Sequence, residues 1–364
     1  MKIRWLFIFI LTSFSSIAQI TISGTVNDSN GPLEYVNVYI NNSMVGTTSN
    51  AKGEFEITVK EGQHQLIISY LGYKKINYKL NTTTYKNPLI FTLLEDRNIL
   101  DEVIIEKTIY DKEWYYNLSV FKKEFIGFTK LSKDCKILNP KILQFDFDKR
   151  QKILIASARE PLQIEHRGLG YLIVFELESF VKQNNSVTYV GYTRYQPLEG
   201  SDNEQKMWKK NRLKAYNGSI RHFFKSAIDN TLDKEGFTVH QFKRVSHSNG
   251  QSNVEKPQKF TDYLYRSNIK TRDIINKKNN IIHLKFEDNL IIVYAKEKEE
   301  AGYLKMGKSS TKRQPLPQTS SIIPLAKNII LKPSGVLLNP LDVSYEGYWS
   351  YEKLGDALPL DYNP

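Results

Sequence analysis

Between Ile20 and Leu94 apolar and polar residues alternate in short runs. Ile20, Ile22, Gly24 and Val26 interleave with Thr21, Ser23 and Thr25, and Val36, Val38 and Ile40 with Asn37 and Tyr39. Phe55, Ile57 and Val59 alternate with Glu54, Glu56, Thr58 and Lys60, and Leu66, Ile68 and Tyr70 keep the same period. A period of two turns one side of each segment to a core and the other to water, which is the pattern of half-buried strands. Asn30-Gly31-Pro32, Ala51-Lys52-Gly53 and Glu61-Gly62 supply the turns between them. Several such strands within about 75 residues predict a β-sandwich over residues 19–95.

Beyond a charged linker at 96–111 the pattern changes. Residues 153–156, 172–177, 187–195 and 237–242 are rich in β-branched and aromatic side chains and predict strands. Ile282, Leu284 and Phe286, followed by 290–294 across Glu287-Asp288-Asn289, predict a hairpin. Ser219 is a suitable helix N-cap, and Ile220, Phe223, Phe224, Ala227 and Ile228 behind it form one apolar helical face. An α+β, strand-rich domain over 112–364 is the economical reading.

The chain's beginning changes the setting. Lys2 and Arg4 precede an apolar run from Trp5 to Leu11, and Ser16 and Ala18 are small residues suited to cleavage before Gln19. Residues 1–18 thus form an expected secretory signal, too short to span a bilayer at roughly 20 residues per helix. Cys135 is the only cysteine, so no intramolecular disulfide is available. The formal charge of +12 falls to +10 without Lys2 and Arg4. For an exported chain that charge points to anionic lipid head groups, acidic glycans or acidic protein faces, and not to nucleic acid. The densest basic group is Lys209, Lys210, Arg212 and Lys214 on an expected helix. Lys209, Lys210 and Arg212 are binding candidates, against the competing reading of a solvated lysine-rich face.

Gly24-Thr25-Val26, Gly31-Pro32-Leu33 with Val36 and Val38, Gly46-Thr47-Thr48, Gly53-Glu54-Phe55, Gly62 and Leu71-Gly72-Tyr73 follow one another in an order that resembles the carboxypeptidase-regulatory-like family. The resemblance implies a transthyretin-like seven-stranded sandwich that is scaffold throughout. Asn50 stands where that family often has aspartate, so calcium binding is not expected there. Leu100 to Ile105 resembles the acidic-then-aliphatic segment that follows this module in glycan-uptake outer-membrane transporters. A 22-stranded barrel needs over two hundred residues in strands alone at roughly 9–11 per strand, so a linker or joining strand is the expected role here. Phe125-Ile126-Gly127, Cys135 to Pro140, Glu160-Pro161-Leu162, Leu169-Gly170-Tyr171, Ala215 to Ser219 with His222-Phe223, and Gly347 to Glu352 resemble an uncharacterised envelope family carrying the same sandwich in front. That resemblance implies an outer-membrane or periplasmic setting in a Gram-negative bacterium and no reaction.

Templates for chemistry are sparse. None of the six histidines has glutamate three residues on or belongs to a His-Glu-x-x-His unit, so a zinc carboxypeptidase is not expected, nor any metal or cofactor. No Gly-x-Ser-x-Gly elbow or phosphate-binding Gly-x-x-x-x-Gly-Lys loop occurs. Asp146 and Asp148 would share one strand face, where paired carboxylates can hydrolyse glycosides, though a polar outer face is the commoner cause. Glu165 with His166 could act as acid and base, or belong to a surface ion-pair group with Glu160 and Arg167. Cys135 reads as a small buried residue before it reads as a nucleophile. Tyr348, Trp349 and Tyr351 are either core or exposed rings for sugars or partners. The expected function is therefore a non-catalytic envelope interaction or assembly protein associated with surface-glycan handling, its partner an envelope protein or glycan. An envelope hydrolase acting on glycan or peptide and an accessory protein of an outer-membrane transporter are the alternatives.

Overall fold

In a computed structural model the described residues are 19–86, 88–96, 108–247, 260–279, 281–306 and 313–364. The expected export segment 1–18 and residues 97–107 of the expected linker lie outside them. The chain divides into two compact units between Glu106 and Lys107.

In the first unit β1 (Gln19–Asn27) pairs with β4 (Glu54–Lys60) on one edge and runs parallel to β7 (Leu89–Thr92) on the other. The second sheet has the order β3 (Gly46–Thr48), β2 (Asn37–Ile40), β5 (Gln63–Ser69), β6 (Ile76–Asn81). Ile22, Val26, Phe55, Ile57 and Phe91 of one sheet share a core with Val38, Ile40, Leu66, Ile68 and Leu80 of the other. β4 buries every second residue, as its sequence alternation requires. A side chain at position 24 would meet the carbonyl of Leu89 at 2.4 Å and the Phe55 ring at 2.6 Å, so glycine there lets β1 and β7 approach.

The second unit is strand-rich with few helices. Asp111 caps α1 (Lys112–Phe125) by accepting from the Trp114 N–H at 2.8 Å. Trp114, Leu118, Phe121 and Phe125 fall on one buried face, and Phe121 and Phe125 meet Phe180 and Phe175 at 4.8 and 4.9 Å between ring centres. That face lies on a sheet built around β12 (Tyr171–Gln183). β12 pairs with β13 (Ser186–Pro197) along its length, with β11 (Leu162–His166) through its first half and with β10 (Ile153–Ala158) near its end. β8 (Cys135–Ile137) adds to β11, and β9 (Leu143–Asp148) to β10.

Two helices follow, α2 (Asp202–Tyr216) and α3 (Ile220–Ile228). The α3 cap is Ser219, whose hydroxyl accepts from the His222 N–H, and Phe223, Phe224, Ala227 and Ile228 are buried as their spacing predicts. They share a second core with a five-stranded sheet of order β15 (Phe260–Arg266), β14 (Phe237–Ser246), β18 (Asn289–Lys298), β19 (Pro317–Pro324), β21 (Val343–Gly347). A three-stranded sheet joins β16 (Ile275–Lys278), β17 (Ile281–Leu284) and β20 (Ile329–Leu331).

The predicted hairpin at 282–294 does not form. β17 pairs with β16 and β20, whereas β18 pairs with β14 and β19. The left-handed residue Asp288 turns the chain from one sheet to the other. Both edges of β18 are occupied by strands remote in sequence, so the local turn sets direction and not pairing.

Candidate functional site

The four residues proposed for catalysis do not converge. Asp146 and Asp148 are exposed on the edge strand β9, and an Asp148 carboxyl oxygen caps the following turn by accepting from the N–H groups of Arg150 and Gln151 at 2.7 and 3.0 Å. Glu165 and His166 are neighbours on β11 and therefore face opposite ways. Glu165 takes a two-pronged hydrogen bond from Arg167 at 3.0 and 3.1 Å. His166 is fully buried, donates from Nε2 to the carbonyl of Gly355 at 2.8 Å and accepts at Nδ1 from the Leu169 N–H at 3.3 Å. Burial holds this imidazole below its ordinary pKa, so it is a neutral brace between β11 and the C-terminal turn.

The register also sets His166 opposite Cys135 across β8 and β11. A thiol beside an imidazole suggests nucleophile activation, but both ring nitrogens are engaged. Burial, with Asp356 and Asp134 nearby, pushes the Cys135 thiol well above its ordinary range. Cys135 should accordingly react with a disulfide reagent only slowly in the folded chain at pH 8 and fully in denaturant. Equal rates in the two states would contradict this environment.

The aromatic candidates lie in the core and not at the surface. Tyr348, Trp349 and Tyr351 are 3%, 4% and 1% exposed. The Trp349 indole donates to the carbonyl of Gly218 at 2.7 Å and its ring meets Phe223 and Tyr345 at 5.5 and 5.8 Å. These rings are held inside the unit and present no stacking face to a ligand.

The basic candidates stand differently. Lys209 and Arg212 line a hollow of about 340 Å3 on α2 together with Gln205, Lys206 and Tyr362, while exposed Lys210 lies outside that lining. The helix is fixed beneath the hollow by its inner face. Buried Trp208 donates to the carbonyl of Arg167 at 2.6 Å, Asn211 to that of Gly168 at 2.8 Å, and Arg212 Nε to that of Leu169 at 2.7 Å. Gly170, at φ +70°, leaves no room for a side chain, because a Cβ there would sit 2.2 Å from the Trp208 ring. The Arg212 guanidinium also lies 4.1 Å over the Tyr171 ring.

A second cluster joins residues that sequence spacing leaves far apart. Glu300 accepts from Lys214 Nζ at 3.1 Å, from the Lys130 N–H at 3.0 Å and from the Tyr351 hydroxyl at 3.3 Å. Asp356 accepts from the Thr129 hydroxyl at 2.9 Å, and Glu297 from the Gln318 amide at 3.2 Å. Desolvation raises the Asp356 carboxyl to about 7 and lifts Glu297. Desolvation, reinforced by Asp356, Glu297 and Glu300, carries Glu352 well above the ordinary carboxylate range. A carboxyl that keeps its proton near neutrality suits general acid chemistry, yet Asp356 and Glu300 spend their oxygens tying residues 129–130 to the C-terminal turn. Among the described residues no three His, Cys, Asp or Glu side chains are grouped to hold a metal ion. The first unit has a hollow of about 400 Å3 lined by residues that include Asp28, Tyr73, Lys74 and Glu95, in which the Tyr73 hydroxyl already donates to Asp28 at 2.8 Å.

Comparison with known proteins assigns the first unit. Residues 22–105 match the CarboxypepD_reg-like domain, and this part of the chain is such a domain. The TonB-dependent receptor SusC of Bacteroides thetaiotaomicron is 32% identical over 88 residues. That stretch is 24% of this chain and 8% of the receptor, so the chain spans a small fraction of its relative.

Proposed function

We propose that the chain is a non-catalytic protein of the Gram-negative envelope that works beside an outer-membrane glycan transporter, with the sandwich as docking module and the second unit as interaction module. The similarity to a TonB-dependent receptor carries this reading. The CarboxypepD_reg-like domain supports it, because that module is a scaffold whose residues here are spent on core, turns and strand pairing. The layout behind it is a signal at 1–18, a transthyretin-like seven-stranded sandwich at 19–95, a linker at 96–111 and an α+β domain at 112–364. The chain is exported to the periplasm, outer membrane or cell surface. An envelope hydrolase is the second reading, favoured by the buried carboxyls of Glu352 and Asp356, which desolvation raises above the ordinary carboxylate range.

The setting is tested by fractionating the envelope and sequencing the N-terminus of the recovered chain. A chain beginning at Gln19 in the outer-membrane or periplasmic fraction is expected. An intact Met1 chain in the cytoplasm would remove the proposal. A glycan and peptide hydrolysis screen on the same material should be negative, and turnover abolished by Asp356→Asn would favour the hydrolase.

A further inference from the structure

Lys206 and Lys209 are exposed, Arg212 is half-buried, and all three line the hollow on α2. Among the described residues none of them takes part in an ion pair. Three cations gathered at one concavity repel one another and gain from an anion that all can reach. Of the nearby carboxylates, Glu204 caps its own helix through Ser201, while Asp361, next to Tyr362 in sequence, exerts its charge on Arg221 and Tyr171.

We propose that this hollow binds an acidic saccharide unit, a sugar bearing a phosphate or carboxylate group. Arg212 is set in place before any ligand arrives, by the carbonyls of Leu169 and Gly170 and by the Tyr171 ring, so little side-chain freedom is lost on binding. Lys206 and Lys209 supply mobile ammonium groups for the same anion. The Tyr362 ring offers an apolar face and a hydroxyl, and Gln205 an amide, the combination that suits the CH faces and hydroxyls of a sugar better than a bare anion. The volume of about 340 Å3 lies at the small end of the roughly 300–1,000 Å3 typical of small-molecule sites and fits one sugar unit rather than a chain.

This deepens the glycan-handling reading by naming a ligand class, and it is tested on the purified full chain, without any transporter. Loss of transporter association with sugar binding intact, or the reverse, separates the two. Calorimetric titration with glucuronate and with glucose 6-phosphate, set beside glucose and inorganic phosphate, is the experiment. At least one acidic sugar should bind, more tightly than inorganic phosphate and with an affinity that falls as salt is added, while glucose does not bind. Lys206→Gln and Lys209→Gln should each weaken it about tenfold, the scale of one charge-assisted hydrogen bond. Tyr362→Ala should weaken it too, and Lys210→Gln, outside the hollow, should leave it unchanged. The lysines are exposed, so these variants fold, which circular dichroism verifies. Failure of both acidic sugars to bind, phosphate binding as tightly as the sugars, or undiminished binding in the Lys206→Gln/Lys209→Gln double variant would overturn the assignment.

Discussion

Trp349→Ala should destabilise the second unit by about 3–5 kcal/mol, the range for emptying a buried aromatic site. The ring is 4% exposed and lies against Phe223 of α3 and Tyr345 of β21. Its indole N–H satisfies the carbonyl of Gly218, in the turn between α2 and α3, at 2.7 Å. Alanine therefore removes a large apolar group and orphans a buried carbonyl at once. The neighbours cannot collapse easily, because the backbone on either side is committed. Gly347 holds a left-handed φ of +73° and the Trp349 N–H donates to the Ser320 hydroxyl. Urea unfolding followed by tryptophan fluorescence and far-ultraviolet circular dichroism measures the loss. A change near zero would place the ring at the surface and contradict the core described above.

The second large effect is one of pH. In the unfolded chain a carboxyl titrates near 4 and an imidazole near 6.5. In the folded chain Asp356 is raised to about 7, and Glu352 and Glu297 are raised with it, chiefly by burial. Raised carboxyls mean that the folded state binds more protons. Their contribution is complete below about pH 4 and is lost as pH climbs through about 7. His166 and His222 are depressed by burial, so their contribution is present above about pH 6.5 and is lost as pH falls below it. Stability should peak in mildly acidic buffer and fall toward pH 8. Asp356→Asn keeps an acceptor for Thr129 and removes the buried charge. It should flatten the decline between about pH 4 and 7 by on the order of 2–4 kcal/mol. A melting temperature constant from pH 5 to 8, or a variant with the wild-type slope, would contradict the cluster's electrostatics.

The sandwich is legible in the sequence because apolar and polar residues alternate along its strands, without a break in β4. The helix α1 is not. Tyr115, Tyr116 and Val120 are strand formers that obscure the apolar spacing of Trp114, Leu118, Phe121 and Phe125. The hairpin at 282–294 misleads for another reason. Local pattern shows where strands lie, but pairing is decided by which remote strands can cover both edges. Charge density points to Lys209 and Arg212 but also to Lys210, because one helical step turns a side chain by about 100° and spacing alone does not show the docked face. Tyr362 comes from the far end of the chain and leaves no trace near them. The carboxyl cluster is invisible for the same reason. Lys214, Glu297, Glu300, Glu352 and Asp356 meet only after three elements have folded, and the spacing Glu297-x-x-Glu300 is too common to single out.

The central claim is association with an outer-membrane transporter through the CarboxypepD_reg-like domain. Its direct measurement is affinity purification of the tagged chain from detergent-solubilised outer membranes after cross-linking in cells, with the partner identified by mass spectrometry. A TonB-dependent receptor should be recovered in stoichiometric amount, and a chain lacking residues 22–105 should lose it while the second unit still unfolds cooperatively. Recovery of the chain without any such receptor, or equal recovery without residues 22–105, would contradict the account.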